Sequence, residues 1–118
     1  MVQVDYKKLI FFQKGHEFTK EIYKITKDFP KEETYGLTSQ IKRASVSIGS
    51  NIAEGSAKSN LDYKRFLGIS LGSAKECEYQ LLLAKDLEYI TPRTYDRLME
   101  LLDAIIGTLT NYIRKIES

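Results

Sequence analysis

The segment from Arg43 to Gly55 constrains the fold of this chain more than any other. Over this helix-length run, bulky residues occur about once per turn, and alanine, serine and glycine fill the positions between them. A solvated helix would carry lysine and glutamate there, and an ordinary core helix would carry more leucine. Because small side chains let a neighbouring helix backbone approach closely, the run predicts the tightly packed centre of a helical bundle.

The length and composition favour one domain with no membrane span. A chain of 118 residues can form a single core, since domains usually hold about 100–150 residues. No apolar run reaches the roughly 18 residues that a membrane helix needs. The first residues lack the pattern of a signal peptide, and the only cysteine, Cys77, cannot form an internal disulfide. We therefore expect one cytoplasmic domain over residues 1–118.

Four segments carry apolar residues at alternating spacings of three and four, which is the period of packed helices. The first runs from about residue 5 to 27 and ends at Phe29-Pro30, because a residue before proline is pushed out of helical geometry. The second begins near Glu32 or Thr38, the third near Ser59 and the fourth at Thr91-Pro92. The predicted core positions are Val4, Phe11, Gly15, Phe18, Ile22, Ile25, Phe29, Leu37, Ile41, Ala44, Ile48, Ile52, Tyr63, Leu67, Ser70, Ala74, Cys77, Leu81, Ala84, Tyr95, Leu98, Leu102, Ile105, Leu109, Tyr112 and Ile116.

Capping signals separate these segments and indicate how they are connected. Gly55 is expected to end the second helix in a left-handed conformation. Ser59 and Asp62 have the spacing of a capping box, and Thr91-Pro92 is a cap followed by a first-turn proline. No strand pattern competes, and the connections are short. The fold class predicted is all-α, an antiparallel up-down-up-down four-helix bundle.

The fourth helix has a second apolar stripe outside its seam. Met99, Ile106 and Ile113 repeat every seven residues, and Leu101 lies beside them. If these residues are exposed in the monomer, they indicate an interface between copies of the chain. The alternative is that they widen the inner stripe, which often spans more than about 100° of a helix. We favour the first interpretation and expect a homo-oligomer.

The residues that catalysis usually requires are scarce. His16 is the only histidine, so a carboxylate-bridged di-iron bundle, which needs two Glu-x-x-His pairs, is excluded. No serine or cysteine is close to His16 in the sequence. Cys77 falls on a seam, where a thiol is usually an inert small hydrophobe. We expect no enzymatic activity, no metal and no cofactor.

Charged residues suggest two different roles. Arg43 and Glu76 are expected to lie within about one turn of each other on adjacent helices, which predicts a structural ion pair. Nucleic-acid binding is also compatible with the sequence, although the net charge is only +2. A helix-one stripe is a further candidate, with Tyr6 and Tyr23 as rings that could stack on bases, although Glu17 and Glu21 lie at pairing distance from its lysines. Its cations are Lys7, Lys8, Lys14, Lys20, Lys24 and Lys27, of which the last three share a face. The residues predicted to contact phosphates are Lys58, Lys64 and Arg65, and secondarily Lys42 and Arg43.

Several separated blocks, covering nearly the whole chain, resemble a single family. The blocks are Phe29-Pro30, residues 33–38 with Gln40, residues 43–55, Phe66-Leu67, residues 71–73, and Glu76 with Gln80. They resemble the four-helix-bundle proteins encoded by intervening sequences in bacterial 23S rRNA genes, and the accessory variability proteins of diversity-generating retroelements have a similar build. The resemblance implies a homo-oligomeric helical barrel, with a pentamer favoured, suspected nucleic-acid binding and no known catalysis.

Two functions from different classes remain open. The leading hypothesis is a non-enzymatic assembly protein that binds structured RNA or DNA through repeated basic patches, because a ring of identical subunits sums modest patches into a larger field. The alternative is a protein-interaction scaffold that assembles with itself or with a polymerase-like partner. In that alternative Arg43 only forms a structural ion pair inside the monomer.

Overall fold

The protein folds into four α-helices, described here for residues 4–116 from a computed structural model. The helices are α1 (Ile10–Ile25), α2 (Leu37–Gly55), α3 (Asn60–Asp86) and α4 (Pro92–Lys115). Short 3-10 turns occupy Tyr6–Lys8, Thr26–Asp28 and Lys31–Glu33. No strand occurs between residues 4 and 116, so the all-helical fold class is confirmed.

The core consists of the seam residues that the heptad-like spacing predicted. Each helix packs against two others: α2 lies between α1 and α3, and α4 also contacts both α1 and α3. Most of the core positions named from the sequence are buried, including the small residues Gly15 and Ser70. The exceptions, which pack against the core but are only partly buried, are Val4, Ile25, Tyr95, Tyr112 and Ile116. Spacing alone did not identify Ser45 and Gln80, which are buried as well.

The segment of small residues on α2 forms the most tightly packed part of the bundle. The Ser70 hydroxyl donates to the Ile48 carbonyl at 2.8 Å, and the Ser73 hydroxyl donates to the Ser47 hydroxyl at 2.8 Å. On its other side α2 accepts a 2.9 Å hydrogen bond at the Ser45 carbonyl from the Thr19 hydroxyl. Side chains as short as serine can bridge two helices only when the backbones are close. The predicted close packing is therefore confirmed.

Gly55 is required for a steric reason and not for the conformational reason predicted. No glycine in the described chain has a positive φ, so the expected left-handed cap is wrong. A β-carbon at Gly55 would lie 2.7 Å from Cβ of Phe66 and 3.2 Å from Cδ1 of Tyr63. The absence of a side chain at Gly55 thus allows the start of α3 to pack against the end of α2.

The helix starts agree with the capping signals. The Ser59 hydroxyl accepts from the Asp62 amide at 3.5 Å, and the Thr91 hydroxyl accepts from the Thr94 amide at 3.1 Å. The end of α3 was not predicted in detail. The residue that takes the left-handed conformation there is Glu88, with φ of 63°. This conformation lets the Tyr89 amide donate to the Ala84 carbonyl at 2.8 Å.

Glu33 caps the start of α2 from the preceding turn. Its carboxylate accepts from the Leu37 amide at 2.9 Å and from the Tyr89 hydroxyl at 2.8 Å. These bonds, the amide first, lower the pKa of Glu33 below its usual 4.5. One carboxylate therefore ties the turn before α2 to the turn after α3.

Replacing Glu33 by glutamine is expected to weaken the acid dependence of stability. Because folding lowers the pKa of Glu33, its contribution is present above pH 4.5 and is lost as the pH falls through the folded-state pKa. Urea unfolding from neutral pH to about pH 2 measures the effect, with Glu32→Gln as the neighbouring control. If Glu33→Gln loses stability on acidification as steeply as the wild type, this account of the cap is wrong.

Candidate nucleic-acid interface

The fold brings three distant parts of the chain together at one end of the bundle. The Tyr63 hydroxyl, near the start of α3, donates to the Tyr112 hydroxyl near the end of α4 at 3.1 Å. The ring of Tyr112 also lies 4.9 Å, centroid to centroid, from that of Phe11 on α1. The end of α2 adjoins the same place through Gly55. We call the parts of the chain gathered there, residues 4–8, 54–65 and 112–116, the basic end.

The basic end is more positively charged than the rest of the molecule. Its three carboxylates are Asp5, Glu54 and Asp62. Seven cations accompany them and give a local charge of +4, whereas the whole chain carries only +2. The seven are Lys7, Lys8, Lys58, Lys64, Arg65, Arg114 and Lys115.

Three of the cations at this end were predicted as phosphate contacts, and the structure places them on adjacent turns. Lys58 and Arg65 both lie over the ring of Phe66, with the ammonium at 5.9 Å and the guanidinium carbon at 4.7 Å from its centroid. Arg65 also pairs with Asp62 at 3.6 Å in an exposed ion pair, and such pairs are worth little in water. Lys64 is half-buried. Lys58 and Arg65 therefore share one surface, and Lys64 lies in the same helical turn as Arg65.

Of the four further cations of the basic end, Arg114 and Lys115 were missed by sequence reasoning, and Lys7 and Lys8 were assigned to a separate stripe on helix one. Lys7 and Lys8 lie at the start of the chain, and Arg114 and Lys115 lie in the last turn of α4. Each is far in sequence from the connection between α2 and α3. The predicted up-down topology could have indicated this grouping, because it places the start of the chain, the connection between α2 and α3 and the end of α4 at one end of the bundle.

The other two predicted cations, Lys42 and Arg43, lie elsewhere. Arg43 precedes the last residue of α2 by a length of helix that corresponds to about 18 Å. The Lys42 ammonium lies 4.6 Å from the ring centroid of Tyr23 on α1, and the Arg43 guanidinium donates to the side chain of Gln40. The structure thus separates the predicted set into two surfaces.

The predicted ion pair between Arg43 and Glu76 is not among those that the structure shows for residues 4–116. The two residues are nearly level, because Ser47 and Ser73, one turn away, are bonded to each other. However, each side chain forms a hydrogen bond within its own helix. The Arg43 guanidinium donates to the side-chain oxygen of Gln40, and the Glu76 carboxylate accepts from the side-chain amide of Gln80 at 3.0 Å. Partners three or four residues apart on one helix are closer than a partner across the groove.

The second stripe of α4 is only partly exposed. Met99, Leu101, Ile106 and Ile113 all pack against the hydrophobic core while keeping intermediate exposure. This placement agrees with the alternative that the stripe widens the inner face of α4. The larger exposed apolar side chains of the described chain lie mainly on other helices.

The two residues considered for catalysis lie in different environments. His16 is exposed and stacks on Phe12, with centroids 6.1 Å apart. Cys77 is fully buried, and burial together with the nearby charge of Glu76 raises the pKa of its thiol to about 12. Among residues 4–116, no group of three or more histidine, cysteine or acidic side chains could hold a metal ion.

The helices of the described region, residues 4–116, are too short or too polar to cross a membrane.

Two comparisons with known proteins, by family model and by solved structure, point to the same family. The family model described as 23S rRNA-intervening sequence protein matches residues 7–111. A similar solved structure is the 1.70 Å crystal structure of a protein of unknown function from the S23 ribosomal protein family of Bacteroides thetaiotaomicron. It has 30% sequence identity and a TM-score of 0.83, and the match covers 90% of this chain and 100% of the other. No curated protein matches the chain. The similarity to accessory variability proteins stays a prediction.

Proposed function

The chain belongs to the family of 23S rRNA-intervening sequence proteins, and from this premise we propose that it is a non-enzymatic, homo-oligomeric protein that binds structured RNA or DNA. The proposed monomer is an antiparallel up-down-up-down bundle. The observation that carries the binding proposal is the charge of +4 at the basic end of a molecule whose net charge is +2.

Binding at the basic end would act through phosphates and not through base sequence. Lysine and arginine at phosphates release condensed counterions, so affinity falls as salt rises. Arg65 and Arg114 can also bind phosphate oxygens in a bidentate manner. In an assembly of several copies the same surface is repeated, and the fields of the copies add within about one Debye length.

The outer face of α3 supports self-assembly better than the second stripe of α4. Leu61 and Tyr79 are 65% and 63% exposed, and Ile69 is also exposed. Between them, Gly68 and Gly72 face open space, with nothing within 4 Å of a β-carbon added at either position. Two glycines in the middle of a helix weaken it unless something approaches closely, so we place a contact with a second copy on this face.

A closed ring needs two different surfaces on each copy. The second surface we propose is the apolar depression between α1 and α2, which has a volume of about 360 Å³ and is lined by Phe12, Gly49 and Ala53 among others. A ring built from these two surfaces places copies of the basic end at regular intervals. The family resemblance favours five copies.

A second candidate function is a protein-interaction scaffold that does not contact nucleic acid. The exposed apolar face of α3 is the observation in its favour, because a surface of this kind fits a protein partner equally well. In this alternative the basic end only keeps the assembly soluble.

Charge reversal at Lys58, Lys64 and Arg65 is the direct test of the binding proposal. The triple glutamate variant is expected to bind a hairpin RNA at least about 100-fold more weakly in low salt, because three phosphate contacts become repulsive. Because Arg65 shares the outer face of α3 with Leu61 and Gly68, the oligomeric mass is measured on the Lys58→Glu/Lys64→Glu variant as well, and that mass should not change. The matched control reverses Lys31, Arg93 and Arg97, which are exposed and outside the basic end. Equal affinity of the two variants for the hairpin RNA would show that the basic end is not the nucleic-acid binding surface.

A further inference from the structure

A second concave surface, away from the basic end, combines aromatic rings with cations. It lies where the turn before α2 meets α1, and has a volume of about 510 Å³, within the range of small-ligand sites. We call it the tyrosine shelf. The side chains that matter for the argument are Tyr23, Tyr35, Thr38, Ser39, Lys42 and Arg43.

Tyr35 is the most exposed large apolar side chain of the described chain, at 95%. The turn that carries it is nevertheless firmly held. The Gly36 amide donates to the Glu33 carbonyl at 2.9 Å, and the Thr34 hydroxyl donates to the Lys31 carbonyl at 2.7 Å. Glu33 in turn caps α2, as described above. A turn held by hydrogen bonds therefore presents an aromatic side chain almost fully to solvent, although tyrosine has on average an intermediate burial in folded proteins.

Tyr23 supplies a second ring to the same depression. It is 42% exposed, and Lys42 holds its ammonium 4.6 Å from the centroid of this ring. Arg43 follows on the same side of α2 and contacts only the neutral side chain of Gln40 among the hydrogen bonds of the described chain. Neither cation is in an ion pair within residues 4–116. The charge of neither cation is therefore neutralised by a carboxylate in that part of the chain.

The lining of the shelf contains no carboxylate among the described residues. The comparable depression between α1 and α4, of about 520 Å³, is different: it is lined by Glu17, Glu21 and Glu100 as well as by cations. There Arg97 is already paired with Glu21 at 2.6 Å. A phosphate would be repelled from that depression and attracted to the shelf.

We propose that the tyrosine shelf binds an unpaired nucleotide of an RNA or DNA strand. Tyr23 and Tyr35 stack on the base, and Lys42 and Arg43 bind the flanking phosphates. The hydroxyls of Thr38 and Ser39 are hydrogen-bonding partners for the sugar or the base edge. This inference rests on the proposed function and adds to it that the ligand has a single-stranded part beside its structured part.

The test compares two hairpins that differ only in a short unpaired tail, made with uridine and, separately, with thymidine nucleotides. The wild-type protein is expected to bind the tailed hairpin more tightly than the blunt one, by about 5- to 150-fold per stacked base. Preference for either tail supports the shelf. The Tyr35→Ala variant, and the Tyr23→Ala/Tyr35→Ala double variant, should lose this preference and keep the affinity for the blunt hairpin.

Leu87, in the turn after α3, provides the control, since it is a large exposed side chain outside the shelf, the basic end and the proposed contact between copies. Leu87→Ala should keep the preference for the tail, and thermal melting should show that all the variants are folded. In the Lys42→Gln/Arg43→Gln variant, the salt dependence of tailed-hairpin binding should fall by about one unit of slope for each lost contact.

The outcomes separate the shelf from the proposed function. If the blunt hairpin binds but the tail adds no affinity, or if Leu87→Ala loses the preference equally, the shelf proposal is overturned while binding at the basic end stands. If neither hairpin binds at low salt, both proposals fail.

Discussion

Replacement of Ile48 by alanine is expected to lower the free energy of unfolding by about 2–5 kcal/mol. Ile48 is fully buried, and its Cγ2 atom would lie only 3.2 Å from a β-carbon at Gly15 on α1. Its carbonyl accepts the hydrogen bond from Ser70 on α3. The truncation leaves a cavity at the point where three helices converge, and backbones held by such short contacts relax little to fill it.

Val46→Ala is the matched control for this effect. Val46 lies on the same helix, also loses a branched side chain, and is 42% exposed, so its substitution should cost less than about 1 kcal/mol. Urea unfolding of the two variants, followed by circular dichroism, gives the comparison. A similar loss in both variants would show that the centre of α2 is not the most tightly packed part of the bundle.

The second large effect is expected at the outer face of α3. The Gly68→Glu/Gly72→Glu variant should be a folded monomer under conditions in which the wild type assembles, because two charged side chains then occupy the place of the neighbouring helix. The monomer itself should not be weakened, since glutamate has a better helix propensity than glycine by roughly 0.5–1 kcal/mol per residue. Loss of assembly together with retained stability is the distinctive result.

Gly107→Glu serves as its control. Gly107 is an exposed glycine on α4 that also faces open space, so this substitution should leave the assembly intact. The masses in solution can be compared by light scattering. A double variant with the full mass of the wild-type assembly would exclude the α3 face as a contact between copies.

Helical periodicity predicted the core well, because burial in a bundle depends on spacing more than on residue type. Ser70 and Ala74 were placed inside for this reason, although neither is strongly apolar, and both are buried. The helix caps at Ser59 and Thr91 were equally predictable from the sequence, because they depend on residues only three positions apart. Gly55 shows the limit of this reasoning, since its role comes from Phe66 on the next helix and not from local conformation.

The grouping of charged residues on the surface was harder to predict. It depends on which helix ends meet and on which neighbours the flexible side chains contact. Lys58 and Arg114 are far apart in sequence, yet the contact between Tyr63 and Tyr112 brings their segments to one end. Arg43 and Glu76 were placed at nearly the right levels, but each found a partner on its own helix. The tyrosine shelf depends on a turn, around Tyr35, whose shape no periodic pattern describes.

The central claim is that an assembly of this protein binds nucleic acid through charge. Its most direct test is the mass of the purified protein in solution, with and without a short hairpin RNA, across a series of salt concentrations. The account predicts a homo-oligomer that gains the mass of RNA at low salt and releases it as the salt concentration rises. An oligomer whose mass is unchanged by RNA at every salt concentration would contradict the claim and favour the protein-interaction scaffold.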